Sequence, residues 1–299
     1  MRTYADDAET TFPDITIDAD LLRIPVGPGS MHVERYGHGG APILLVHGFG
    51  TCAFLWRGVG PVLAMANRTA FAVDLFGYGE SDRPFDAQFG IAAQSDYLDR
   101  ALTALRLSKA TIVGIDLGAA VALHLTYTRP DRADRLVLIN PIAFDDVPAD
   151  DVKMMARNTA RFALRISRGL LGAAPLLREQ LEHGVADRSK MPDRLVARYL
   201  APFVGKDGLN HLLALARAID DGDMQEIELG QIDRPTLVIV GDHDHFVSPK
   251  VAERLSDTIP GSRLVRLPGI GRLIPEEAPD TLANLLLEFV GAAGMVRSE

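Results

Sequence analysis

The stretch VGIDLGAA at residues 113–120 marks a sharp turn from a strand into a helix, because an apolar, β-branched run precedes it and a helical pattern follows. Such a turn brings the two backbones together, and glycines at 114 and 118 leave room that a side chain would fill. Asp116 is thrust outward at the helix N-terminus, where free N–H groups stabilise an anion. A plain N-cap is the simpler alternative. We predict that Asp116 is the centre of an active site.

Short apolar runs alternate with longer helical patterns on both sides of this turn, which is typical of parallel strands joined by crossover helices. The fold class is therefore α/β, with a mostly parallel central sheet flanked by helices. A hairpin is expected near Leu21–Tyr36. Further strands are predicted at Ile43–His47, Ala70–Leu75, Ala110–Ile115, Arg135–Asn140, Pro235–Val240 and Ser262–Leu267. Helices are predicted at Ile91–Leu107, Gly118–Thr128, Val251–Thr258 and Thr281–Val290.

The alternation of strand and helix patterns stops in the middle of the chain, where residues 142–232 show helical patterns without convincing strands. The strand pattern then resumes. We therefore predict an inserted helical cap at 142–232 and a core formed by residues 1–141 and 233–299.

Composition limits the function classes. The net charge of −9 over 299 residues disfavours a nucleic-acid partner, which requires an excess of Lys and Arg. No apolar run approaches the roughly 18 residues of a membrane span. The single cysteine, Cys52, excludes an internal disulfide, and the polar start of the chain favours a cytoplasmic location. We expect a small-molecule substrate, no cofactor and no metal, and leave a homodimer open.

Three further motifs surround Asp116 in the expected order. Residues 47–50 read HGFG after a strand, and the backbone N–H of Phe49 is expected to pair with that of Leu117 as an oxyanion hole. His47 is interpreted as structural. Residues 74–82 form a glycine-punctuated turn that we interpret as scaffold. GDHD at 241–244 follows a late strand and is interpreted as a turn rather than a metal site.

Taken together, these motifs resemble those of the α/β-hydrolase fold over nearly the whole chain. The strand-to-helix turn at Asp116 resembles the nucleophile elbow of that fold. An aspartate at the elbow is similar to the epoxide hydrolase and haloalkane dehalogenase branches of the family, whereas esterases and lipases carry a serine there. The resemblance implies that Asp116 attacks carbon and forms an ester, and that Asp244 is the acid that orients a histidine. It also implies a cap tyrosine as proton donor, for which Tyr199 is the candidate.

The pattern departs from the family after the last strand, where Arg272 stands in the place of the histidine. An arginine stays protonated, so it cannot take a proton from water to hydrolyse an aspartyl ester. It can balance Asp116 and Asp244 as a purely structural counter-ion. His245 or His211 is an alternative base.

Tyr199, His245 and Trp56 are assigned to the substrate pocket. Phe49 and Leu117 replace the halide-holding residues of dehalogenases, which disfavours dehalogenation.

Three functions remain open at this stage. The first is an enzyme that abandons hydrolysis, with Asp116 as base or anchor and Arg272 stabilising an anion. Cyclisation, epoxide opening or carbon–carbon bond formation in natural-product biosynthesis fits it, because none needs an activated water. The second is an epoxide hydrolase-like enzyme with a relocated base. The third is a non-catalytic ligand-binding protein.

Overall fold

The computed structural model describes residues 19–156, 174–204 and 207–295. The central sheet has eight strands. They are β1 (Asp20–Pro25), β2 (Ser30–Tyr36), β3 (Pro42–Val46), β4 (Thr69–Val73), β5 (Ala110–Ile115), β6 (Ala133–Ile139), β7 (Thr236–Gly241) and β8 (Arg263–Leu267). Their spatial order is β1-β2-β4-β3-β5-β6-β7-β8. β1 and β2 pair antiparallel, β2 pairs antiparallel with β4, and the remaining pairs are parallel. The predicted α/β class and sheet are confirmed.

The helices of the described ranges follow the strands along the chain. They are α1 (Gly60–Met65), α2 (Ile91–Ala104), α3 (Leu117–Thr128), α4 (Asp150–Ala156), α5 (Ala174–His183), α6 (Asp193–Leu200), α7 (Gly208–Ala218), α8 (Gly222–Gln225), α9 (Pro249–Thr258), α10 (Ile274–Glu277) and α11 (Pro279–Met295). The central strands β4, β5 and β7 are buried at every residue. Such continuous apolar strands are typical of a parallel sheet covered on both faces.

The described residues between 142 and 232 form α4 to α8 and short 3₁₀ turns, and they add no strand to the sheet. Their assignment as a cap stays a prediction that this arrangement supports. No helix in the described part of the chain is long and apolar enough to cross a membrane.

The turn at Asp116 has the tight geometry expected from its glycines. A Cβ atom on Gly114 would lie 2.1 Å from the carbonyl oxygen of Gly118, and one on Gly118 would lie 2.4 Å from the carbonyl oxygens of Val46 and His47. Asp116 itself has a φ of 55°, a conformation that L-residues seldom adopt. Close packing of β5, α3 and the end of β3 therefore fixes the direction of the Asp116 side chain.

This packing predicts that Gly118→Ala is destabilising. The new Cβ meets backbone atoms that cannot move aside, so we expect the free energy of unfolding to fall by about 1–3 kcal/mol or more. Denaturant unfolding measures the change. Gly291→Ala is the matched control, because a Cβ there meets nothing within 4 Å in α11 and alanine favours a helix. Equal effects of the two substitutions would contradict this account of the turn.

Candidate active site

Asp116 lies at the carboxyl edge of the sheet and is only 4% exposed. The backbone N–H of Phe49, in the loop after β3, donates to Oδ2 of Asp116 at 2.8 Å. Nη2 of Arg272, in the loop before α10, donates to Oδ1. Both carboxylate oxygens are therefore engaged, one by a backbone amide and the other by a guanidinium.

Arg272 is as deeply buried as its partner and makes a second ion pair. Its Nη1 donates to Oδ2 of Asp151 at 3.0 Å, and the guanidinium lies over the ring of Phe246, 5.0 Å from the centroid. Burial by itself lowers the pKa of the Arg272 guanidinium, but the carboxylates of Asp116, Asp151 and Asp244 outweigh burial and raise that pKa above its usual value. Arg272 is thus a permanent cation between two acids.

The loop that carries Arg272 is held from the neighbouring strand ends. The side-chain amide of Asn140, directly after β6, donates to the carbonyl oxygens of Gly271 and Arg272 at 3.0 and 2.8 Å. The side-chain oxygen of Asn140 accepts from the backbone N–H of Gly241 at 2.8 Å. Hydrogen bonds between the Asn140 side chain and the backbone at parallel strand ends therefore position the loop that carries the guanidinium.

Asp151 is a site residue that the sequence reasoning missed. It lies on α4, is 7% exposed, and its Oδ2 also accepts from Nε2 of Gln180 on α5. An acidic pair at the start of a helix has an ordinary explanation in the helix dipole. The sequence therefore gives no signal that separates buried Asp151 from exposed Asp150.

Asp244 does not take the place expected of the orienting acid. Its Oδ1 accepts from the backbone N–H groups of Phe246 and Val247 at 2.8 and 3.1 Å, and it forms no ion pair with Arg272, although both residues are described. Burial raises the pKa of the Asp244 carboxyl, and Arg272 only partly opposes that shift. The carboxylate that contacts Arg272 beside Asp116 is Asp151, which corrects the predicted pairing.

The predicted oxyanion hole consists of the backbone N–H groups of Phe49 and Leu117, and the first of these already donates to Asp116. Phe49 lines the site and its N–H already binds Asp116, while Leu117 is the buried first residue of α3. A Cβ on Gly48 would lie 2.7 Å from Oδ2 of Asp116, which explains the glycine there. The oxyanion function of Phe49 and Leu117 stays a prediction.

A small cavity adjoins the carboxylate. It measures about 10 Å³, close to the space of one water molecule, and its lining includes Phe49, Asp116, Gln180, Arg272 and Leu273. Within the described ranges, no group of three or more histidine, cysteine, aspartate or glutamate side chains is arranged to hold a metal ion.

The three residues assigned to the substrate pocket do not meet at Asp116 in the described structure, and their assignment stays a prediction. The Tyr199 hydroxyl donates to Glu276, which Arg57 also binds in a bidentate ion pair at 2.6 and 2.7 Å. Trp56 is fully buried in the core. His245 is exposed and lies in the turn that Asp244 closes. Tertiary packing decided all three positions, and none of these residues lines the cavity at Asp116.

The role of Tyr199 is testable by Tyr199→Phe. Loss of a donor to a buried carboxylate should lower the free energy of unfolding by about 1–3 kcal/mol. Tyr127→Phe is the control, since Tyr127 is half-buried and its hydroxyl makes no hydrogen bond to another described residue. A Tyr199→Phe variant as stable as the wild type would show that the network does not need the hydroxyl.

All eight histidines lie in the described ranges, and none hydrogen-bonds to Asp116 or lines its cavity. A histidine as relocated base stays a prediction. His47 donates from Nδ1 to the Gly48 carbonyl at 2.7 Å and accepts at Nε2 from the Leu75 N–H at 3.0 Å, and burial lowers its pKa. This confirms the structural role predicted for it. His211 hydrogen-bonds to the carbonyl of Gly77.

Comparison with known proteins agrees with this architecture. The family model described as alpha/beta hydrolase fold matches residues 41–279. The uncharacterized hydrolase YugF of Bacillus subtilis is 24% identical over 271 residues, which cover 90% of this chain and 97% of the relative. A haloalkane dehalogenase of Bradyrhizobium diazoefficiens is 26% identical over 307 residues, covering 95% and 98%. The solved structure of epoxide hydrolase CorEH without ligand has a TM-score of 0.78 at 20% identity, covering 92% and 100%.

The sheet order, the elbow at Asp116 and the family match all lead to one assignment. The chain belongs to the α/β-hydrolase fold family.

Proposed function

We propose that this protein is an enzyme that acts on a small, largely apolar organic metabolite by non-hydrolytic chemistry. Cyclisation, epoxide opening or carbon–carbon bond formation in natural-product biosynthesis is the proposed reaction class. Asp116 and Arg272 are the paired members of a degenerate triad, and its third residue, Asp244, forms no ion pair with Arg272 in the described structure. One observation carries the proposal. The guanidinium of Arg272 binds Asp116 where hydrolases of this type need a base.

Hydrolysis through an aspartyl ester needs a group that removes a proton from water. Arg272 stays protonated in its setting between two acids, and no histidine reaches the site. An ester formed on Asp116 therefore has no base to clear it. Reactions that move a proton within the substrate, or close a ring, need no such base.

Asp116 is suited to act as a fixed carboxylate. The Phe49 N–H and Arg272 hold it in one orientation, so its remaining lone pairs are available to accept a proton or to hold a developing cation. Arg272 supplies the opposite charge for an enolate, phenolate or alkoxide. The apolar side chains of Phe49, Ile115 and Leu273 complete the cavity and favour a substrate with an apolar body.

Metabolite profiling tests this proposal. The wild-type protein and Asp116→Asn are incubated with the same small-molecule extract in water labelled with heavy oxygen. We expect the wild type to convert a compound into a product that gains no water and carries no label, and Asp116→Asn to lose this conversion. A product heavier by one labelled water, or conversion by both proteins alike, would overturn the proposal. Tight binding without conversion would favour a ligand-binding protein.

A second candidate is an epoxide hydrolase-like enzyme with Asp116 as nucleophile and a relocated base. The similarity to a haloalkane dehalogenase favours it, since it extends over 95% of the chain. Under this alternative, intact-protein mass spectrometry during a single turnover should detect an adduct on Asp116 that then clears. An adduct that persists would exclude a working relocated base.

A further inference from the structure

Asp151 and Gln180 form a buried pair beside the Asp116 site. They come from different helices, α4 and α5, and each is 7% exposed. Nε2 of Gln180 donates to Oδ2 of Asp151, which also accepts from Arg272. Asp151 and Gln180 are therefore connected to Asp116 through the guanidinium of Arg272.

Each member of the pair keeps one oxygen without a partner. Oδ1 of Asp151 and Oε1 of Gln180 are both buried and accept no hydrogen bond. The orientation of the Gln180 amide follows from its partner, because an ionised carboxylate accepts and cannot donate. Both free atoms are therefore acceptors. Leaving a buried acceptor unsatisfied costs about 1–3 kcal/mol, and more when the group is charged.

One of the two free oxygens belongs to a residue at the cavity beside Asp116, whereas Asp151 contacts that residue without lining the cavity itself. Gln180 lines the cavity together with Asp116 and Arg272. Its Oε1 faces the loop that carries Phe49, since a Cβ built on Gly50 would lie 3.5 Å from it. The missing partner is thus a hydrogen-bond donor at the edge of the reaction site.

The charges around the cavity favour a cationic donor over a neutral one. Asp116 and Asp151 carry two negative charges against the single positive charge of Arg272. A buried excess of negative charge is stabilised by a cation in contact with it and repels an anion. The cavity of about 10 Å³ admits a head group the size of one water molecule.

We infer that the substrate carries an ammonium group that donates to Gln180 and is attracted by the adjacent Asp151 carboxylate, and that these two residues determine specificity for it. Phe49, Leu181 and Leu273 line the same cavity and are the apolar contacts for the part of the substrate next to the ammonium group. The inference rests on the proposed function for the position of the substrate beside Asp116, but it concerns binding and not the reaction.

Three probes with the same cyclohexane ring and different head groups test the inference by calorimetric titration. They are cyclohexylammonium, cyclohexanol and cyclohexanecarboxylate. We expect cyclohexylammonium to bind about tenfold more tightly than cyclohexanol, as one charged hydrogen bond provides. The carboxylate should bind weakest. Equal affinity for the three probes, or a preference for the carboxylate, would overturn the inference.

Variants then locate the selectivity. Asp151→Asn should abolish the preference for the ammonium probe, while Asp150→Asn, on the same helix but exposed, should retain it. Because Asp151 also pairs with Arg272, Gln180→Met provides a second variant that removes one acceptor and keeps the ion pair. It should weaken ammonium binding several-fold. Wild-type selectivity in both variants would contradict the assignment of these residues.

The outcomes separate this inference from the proposed function. Selective ammonium binding without any conversion in metabolite profiling supports the binding inference and counts against the enzyme. Conversion of an amine-free substrate, together with equal probe affinities, supports the enzyme and overturns the binding inference.

Discussion

Arg272→Met should lower the free energy of unfolding by about 3–5 kcal/mol, the usual cost of removing one partner from a buried ion pair. The substitution leaves Asp116 and Asp151 buried, adjacent and without their shared cation. Two such carboxylates repel each other, and this repulsion adds to the cost of burying them without a cation.

Denaturant unfolding measures the loss of stability. Arg263→Met is the matched control, since Arg263 pairs with Glu288 at the surface and an exposed pair contributes little. We expect the control to change the unfolding free energy by no more than about 0.5 kcal/mol. An Arg272→Met variant as stable as the control would show that the buried ion pairs do not hold the site together.

Glu276→Leu is the second substitution with a large expected effect. Glu276 is buried on α10 and accepts from Arg57 and from the Tyr199 hydroxyl, so its removal leaves the Arg57 cation without its ion-pair partner. We expect a loss of about 3–5 kcal/mol in the free energy of unfolding. This network connects the loop after β3 with the helices α6 and α10. Because it makes no hydrogen bond to Asp116, the hydrogen bonds of Asp116 should be kept in the variant.

The double variant Arg57→Met with Glu276→Leu provides the decisive comparison. Replacing a whole buried ion pair by apolar side chains is often close to neutral. The double variant should therefore recover much of the stability that Glu276→Leu loses. Additive losses in the double variant would mean that the two side chains act independently, contrary to the contacts of Arg57 with Glu276.

The sequence predicted the elbow well because its requirements are local. Gly114 and Gly118 leave room for backbone atoms that come from adjacent elements, and the aspartate between them can point in only one direction. β5 was predicted with its observed bounds, Ala110–Ile115, because a buried strand reads as an uninterrupted apolar run between turn residues. Arg272 was placed at the site by its position after the last strand, and its contact with Asp116 agrees.

The residues from other parts of the chain could not be predicted in the same way. Asp151 reaches Arg272 across 121 positions of sequence, and only the packing of α4 against the core selects it over Asp150. Tyr199 and Trp56 are large aromatic residues of the kind that often line pockets. In the structure, the Tyr199 hydroxyl joins an ion-pair network and Trp56 is buried in the core. Side-chain type alone does not distinguish a pocket wall from an interior contact.

The central claim is that the site cannot hydrolyse an aspartyl ester because Arg272 occupies the place of the base. The most direct test is the release of diol from styrene oxide in water labelled with heavy oxygen, by the wild type, Arg272→His and the control Arg263→His. The account predicts labelled diol above the uncatalysed background from Arg272→His over many turnovers, since the first diol takes its oxygen from Asp116 and water then restores that oxygen. It predicts only background diol from the wild type and the control. Diol release by the wild type that is lost in Asp116→Asn would contradict it.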